Sequence, residues 1–157
     1  MATETSHRVE SGIGEFNWKA GAVGGILGSF VMGILIIMMN TAVIAVAIPS
    51  LYAIAPPPNP VAGMAVHLFH GAVLGIIFAG IVGAISLNSP GKVVGVGIVW
   101  GCLTWLVLAG LLMPTWLAAV GSPASPPFPN FAPPSLLWHV VYGAILGGGY
   151  LAVADRL

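Results

Sequence analysis

The sequence predicts an all-α membrane protein: a bundle of four transmembrane helices made of a duplicated two-helix hairpin. The first observation is composition, since 58% of the 157 residues are apolar and 5% are charged, where soluble domains carry about 25% charged residues. The second is charge placement. No charged residue lies between Lys19 and Lys92 or between Lys92 and Asp155, and each interval is long enough for two crossings of about 20 residues. The third is an internal repeat around His67 and His139.

Breaker residues divide the apolar sequence into four predicted helices. The first pair is separated by a proline-rich loop, the middle pair by Asn-Ser-Pro-Gly, and the last pair by a longer loop that begins at Ser122 and ends at two prolines. Proline lacks a backbone N–H and interrupts helices, so these segments are predicted to be loops. The predicted helices are Trp18 to Pro49, Pro60 to Leu87, Lys92 to Val120 and Pro134 to Asp155.

The positive charges predict the orientation of the chain. An even number of crossings places both termini and the Lys92 turn on one side, which then holds Arg8, Lys19, Lys92 and Arg156. The positive-inside rule makes that side the cytoplasm. We therefore expect a multi-pass protein of the cell membrane, with a polar cytoplasmic tail over residues 1–17 and one membrane domain over 18–157. Its formal net charge of zero gives no reason to expect a nucleic-acid partner, and membrane lipids are its expected surroundings.

The repeat joins residues 72 positions apart. The segment His67-Leu-Phe-His70-Gly71-Ala-Val-Leu-Gly75 matches His139-Val-Val-Tyr142-Gly143-Ala-Ile-Leu-Gly147. The first and third helices match more weakly, Gly24 with Gly97 and Gly28 with Gly101. Repeat units of about 18–88 and 91–157 each contain two crossings, so they are expected to have the same orientation and to be related by a pseudo-twofold axis along the membrane normal.

Small residues recur every four positions and lie along one ridge of each helix. In lipid no hydrophobic force drives helices together, and close backbone approach at such ridges is a usual source of association. The glycines predicted to pack against neighbouring helices are Gly21, Gly25, Gly71, Gly75, Gly97, Gly101, Gly143 and Gly147. The single Cys102 lies inside the third helix and is expected to be a packing residue.

Three histidines lie within the apolar segments: His67, His70 and His139. Ionisable residues inside a membrane are costly and are candidates for function. His67 and His139 each precede a ridge glycine by four residues, so we expect them to face protein and to approach each other across the pseudo-twofold axis. We also expect a closed interface there, with glycine packed against glycine.

Four interpretations of these histidines stay open from the sequence. In the simplest, each neutral imidazole donates to a backbone carbonyl or to Tyr142. In the second, His67 and His139 ligate a b-type haem. In the third, His67, His70 and His139 hold Zn²⁺ or Cu²⁺, although no carboxylate supports the site. In the fourth, they contact a quinone or a lipid head group. The chain contains no G-x-S-x-G, H-E-x-x-H or Walker motif, so no catalytic residue is predicted.

Three segments resemble a poorly characterised family of small four-helix prokaryotic membrane proteins, of haloarchaeal type and distantly similar to YagU-like proteins. They are the stretch from Pro134 through Trp138-His139 and Tyr142-Gly143 to Gly147, the earlier His67-Leu-Phe-His70-Gly71 copy, and Met113-Pro114-Thr-Trp116. The resemblance implies a four-helix architecture and an association with respiratory, oxidase-type machinery. On this basis we expect a non-catalytic accessory or assembly subunit with other membrane subunits as partners. The alternative is a haem-b electron-transfer protein that uses His67 and His139.

Overall fold

Four long apolar helices form the described part of the molecule, which confirms the predicted all-α class with four helices. The computed structural model describes residues 15–157, so most of the predicted tail, residues 1–14, lies outside the described residues. The helices are α1 (Trp18–Met39), α2 (Ile48–Ser50), α3 (Pro60–Ala84), α4 (Pro90–Thr104), α5 (Met113–Ala119) and α6 (Pro133–Ala154). The third span, Pro90–Ala119, runs from α4 to α5 without a loop. By length and composition, α1, α3, the third span and α6 are able to cross a membrane.

The helix ends follow from local chemistry. Proline occupies the first turn of α3, α4 and α6, where its missing N–H has no helical partner to lose. The side-chain oxygens of Asn17 and Asn59 cap α1 and α3 by accepting from the backbone N–H groups of Ala20 and Ala62, both at 3.0 Å. The predicted continuous helix from Trp18 to Pro49 is wrong, because α1 ends at Met39 and Asn40 has non-helical φ and ψ of −157° and 80°.

A π-helical segment follows the first helix of each hairpin, at Val43–Ala47 after α1 and at Trp105–Leu112 after α4. A π-helix shifts the hydrogen-bond register by one residue relative to an α-helix. In both segments a carbonyl accepts from the loop that follows: Ala45 from the N–H of Asn59 at 2.7 Å, and Gly110 from the N–H of Asn130 at 2.9 Å. The two Pro-Asn loops are thus anchored in the same way.

Within each hairpin the two helices touch through glycines. A Cβ at Gly25 or Gly71 would collide with the other residue's backbone carbonyl, and the same holds for Gly97 and Gly143. All eight predicted packing glycines lie at such contacts. The remaining four are Gly21 with Gly75, Gly101 against the carbonyl of His139, and Gly147 against the backbone of Val94.

These contacts correct the matching of the first and third helices. Gly25 has the place in its hairpin that Gly97 has in the other, so the spacing is 72 residues in both helix pairs. Gly24 and Gly28, matched to Gly97 and Gly101 from the sequence, instead contact α6 of the other hairpin. The duplication itself stays a prediction.

The arrangement of the hairpins is asymmetric. Helix α1 packs extensively against both α3 and α6, and α6 packs against α4, whereas α3 and α4 barely touch. A pseudo-twofold axis would make the α3–α4 interface equivalent to the α1–α6 interface. One of the two interfaces between the hairpins is therefore closed and the other is open.

Candidate functional site

A cavity of about 1120 Å³ occupies the open interface. Helix α3 and the third span form its sides, and α1 and α6 form its floor. We call it the cleft. Its polar lining consists of Ser29, Asn40, Tyr52, His67, His70, Thr104, Ser125, Asn130, Ser135, His139 and Tyr142, with the indoles of Trp116 and Trp138. The expected closed interface at the histidines is wrong. The predicted packing glycines make their close contacts inside the hairpins, Gly24 and Gly28 make theirs between α1 and α6, and the histidines line a cavity.

One end of the cleft, near the loops that precede α3 and α6, is bridged by contacts between the two hairpins. The Ser122 hydroxyl donates to the Ser50 hydroxyl at 3.0 Å, and the Trp116 indole donates to the carbonyl of Leu51 at 3.1 Å. On the side, Phe69 and Val73 of α3 and Leu112 of the third span line the cleft and are exposed. The cleft is thus covered at this end, and exposed apolar side chains line it at the side.

His139 has a defined tautomer. Its Nδ1 lies 2.7 Å from the carbonyl oxygen of Ser135, one turn earlier in α6. A carbonyl oxygen only accepts hydrogen bonds, so Nδ1 carries the proton, and in the neutral ring Nε2 is left as an acceptor. This donation to a carbonyl is the simplest of the four interpretations, and it holds for His139.

His67 is different because its polar atom lacks a partner. The residue is 8% exposed, and its Nε2 has no hydrogen-bond partner in the part of the chain that the structure describes. Gly33 allows the ring to fit, since a Cβ there would lie 3.3 Å from Cδ2 of His67. Leaving a buried polar group without a partner costs about 1–3 kcal/mol. Such an atom on the wall of a cavity marks a place for a ligand.

His70 and Tyr142 occupy matching positions in the repeat but have different surroundings. Tyr142 is 3% exposed, crosses α1 at Gly28, and donates its hydroxyl to the carbonyl of Gly71 at 3.1 Å. It fills the closed interface. His70 lies in the open interface, where its Nε2 is 2.7 Å from the hydroxyl of Tyr52.

Other hydrogen-bond donors on the wall are satisfied by the protein itself. The hydroxyl of Ser29 donates to the carbonyl of Ile26 at 3.0 Å, and that of Thr104 to the carbonyl of Gly101 at 2.9 Å. The Trp138 indole N–H contacts the sulfur of Met39 at 3.0 Å. These three donors are therefore not available to a ligand, whereas the side-chain amides of Asn40 and Asn130 also line the cleft.

The structure does not support the three-histidine metal site. Among residues 15–157, no group of three or more His, Cys, Asp or Glu side chains is arranged to hold a metal ion. The Nε2 of His70 is engaged with the hydroxyl of Tyr52.

For haem, the two imidazoles and the rest of the lining give opposite indications. His67 and His139 line one cavity and each has an Nε2 without a protein partner, as bis-histidine ligation requires. A haem also carries two propionates, and no Lys or Arg lines the described cleft to pair with them. Burying carboxylates without partners is costly. The two histidines therefore suit haem ligation, but the rest of the lining does not suit the haem propionates.

The sequence predicted the three histidines, but not the groups that distinguish them. Tyr52, Ser135 and Thr104 are ordinary polar residues in an apolar sequence, and only the fold shows that they surround the same cavity. A search of family models, curated proteins and solved structures found no match to the chain.

Proposed function

We propose that this multi-pass membrane protein is a non-catalytic accessory or assembly subunit of a larger membrane complex, of respiratory type. The proposal is supported by the hydrogen bonds that the polar groups in the spans make. Ser29, Thr104, Tyr142 and His139 each hydrogen-bond to a backbone carbonyl of the protein. A nucleophile is activated by a neighbouring base, and none of the three hydroxyls has such a base as its hydrogen-bond partner. The arrangement suits binding and positioning better than bond-breaking chemistry.

The surface of the spans fits a subunit that presents rigid apolar faces. Glycine contacts fix α1 against α3 and α4 against α6, while α1 exposes Phe30, Ile37 and Met38 outward. Such faces contact either lipid or a partner helix. The respiratory assignment rests on the family resemblance alone.

Isolation of the tagged protein from its native membranes in a mild detergent tests the proposal. We expect it to migrate on a native gel in a complex several times its 16.0 kDa mass, together with defined membrane subunits. Migration as the lone chain under conditions that preserve other complexes of the same membrane would contradict the accessory role.

A haem-b electron carrier is the second candidate, favoured by the two available Nε2 atoms. It predicts a Soret band and a reduced-minus-oxidised α band in the purified protein, both lost in His139→Ala. His70→Ala is the matched control, because His70 is paired with Tyr52 and its loss would leave both bands. A spectrum without these bands, after expression with added haem precursor, eliminates this candidate.

We further propose that the membrane is the cell membrane and that both termini are cytoplasmic. In a Cys102→Ala background, a cysteine introduced at Ser125, in the loop before α6, is expected to react with an impermeant thiol reagent in intact cells. A cysteine at Ser89, which directly precedes α4, is expected to react only after the cells are opened. Labelling of Ser89→Cys from outside would reverse the assignment.

A further inference from the structure

The lining of the cleft restricts the chemistry of any molecule it holds. No Asp, Glu, Lys or Arg lies among its described lining residues, and a buried charge without a partner is unfavourable. The ligand is therefore neutral. Most of the wall is apolar, with Ile36, Leu74 and Leu108 as examples, so most of the ligand is hydrocarbon.

The hydrogen bonds that the lining residues already make indicate which head group a ligand can have. The hydroxyl groups of Ser29, Thr104 and Tyr142 already donate to carbonyls. His139 presents an acceptor at Nε2, because its Nδ1 proton is used. The buried Nε2 of His67 has no partner and, in the tautomer protonated at Nδ1, also accepts. A head group with an O–H donor complements the Nε2 acceptor of His139, and a head group with only acceptors leaves that atom without a partner.

The size and opening of the cleft suit a lipid-soluble molecule. Its volume of about 1120 Å³ slightly exceeds the roughly 300–1,000 Å³ typical of small-molecule sites. The space accommodates a head group and part of a chain, and the chain continues past Phe69, which is 62% exposed, toward the bilayer.

We propose that the cleft binds a neutral membrane-soluble quinol or lipid alcohol, whose hydroxyl donates its one hydrogen to the Nε2 of His139 or of His67. This goes beyond the accessory role and does not depend on it, since a lone chain would have the same cleft. A quinone is expected to bind less tightly than its quinol, because its carbonyls provide no donor.

Three ligands of matched shape test the proposal on the wild-type protein in lipid nanodiscs under anaerobic conditions. They are a decyl-substituted benzoquinol, the corresponding benzoquinone and the quinol dimethyl ether, with uptake by empty nanodiscs subtracted. We expect the quinol to bind about tenfold or more tightly than either analogue, the difference that one or two hydrogen bonds make. Equal binding of quinol and ether, or no saturable binding of the quinol or of decanol, overturns the proposal.

Competition with decanol distinguishes the two sources of the hydroxyl. If decanol displaces the quinol, the cleft binds lipid alcohols in general; if decanol does not, it selects the quinol ring. The double variant His67→Phe/His139→Phe is expected to remove the preference for quinol over ether, and the two single variants show which imidazole accepts. Trp100→Phe is the control, because Trp100 also has a buried N–H without a partner but does not line the cleft. If the double variant keeps the preference, the imidazoles do not bind the hydroxyl.

Discussion

Replacing Gly75 by leucine is expected to separate α1 from α3 and to destabilise the protein by about 3 kcal/mol or more. A Cβ at this position would overlap the backbone carbonyl of Gly21 and lie 2.9 Å from Cα of Gly25. Both neighbours are backbone atoms, which cannot move away as the end of a side chain can. The measurement is the midpoint of thermal or detergent-induced unfolding of the purified variant.

Gly80→Leu is the matched control for this substitution. Gly80 lies on the same helix, and a Cβ there would meet nothing within 4 Å. Leucine also has a higher helix propensity than glycine, so we expect a midpoint equal to or above that of the wild type. If the Gly75 and Gly80 variants have the same unfolding midpoint, the backbones of α1 and α3 are not in close contact at Gly75.

The second large effect is expected for Phe78→Ala. Phe78 is 0% exposed and meets the ring of Tyr150 edge to face, with ring centres 5.9 Å apart. Removing a buried phenylalanine leaves a cavity and costs about 3–5 kcal/mol in soluble cores. In lipid we expect the variant to lose about 3 kcal/mol of stability, because lost packing contacts account for most of the cost.

Phe69→Ala serves as the control on the same helix. Phe69 is 62% exposed, so its removal leaves no enclosed cavity, and we expect a change within about 0.5 kcal/mol. The comparison is made by the same unfolding measurement. A loss at Phe69 as large as that at Phe78 would show that the exposed face of α3 is packed against something in the membrane.

The four spans could be predicted because they depend on composition. Charge-free intervals and prolines locate crossings without reference to any neighbour, and the predicted start of α3 at Pro60 is the observed one. The two π-helical segments could not be predicted in this way, since their residues are as apolar as the rest of the helix. Their stabilising partners are backbone N–H groups of Asn59 and Asn130, which any residue other than proline provides.

The cleft could not be predicted, because the sequence repeat and its expected symmetry predict the same packing for both interfaces between the hairpins. The glycine ridges predict close contact wherever two helices meet, but they do not say which pairs meet. The difference between His70 and Tyr142 was visible in the sequence. That Tyr142 reaches the carbonyl of Gly71 while His70 remains in a cavity depends on the way α1 lies between α3 and α6.

The joining of both hairpins in one polypeptide has a consequence for stoichiometry. A homodimer of a single hairpin would have two interfaces that symmetry makes the same, so it would have either two clefts or none. In one chain the two interfaces can diverge, and here α1–α6 is closed while α3–α4 is open. A molecule held in the cleft would therefore bind once per polypeptide and reach its site from one flank only. The opposite flank is left free for contacts that do not compete with it.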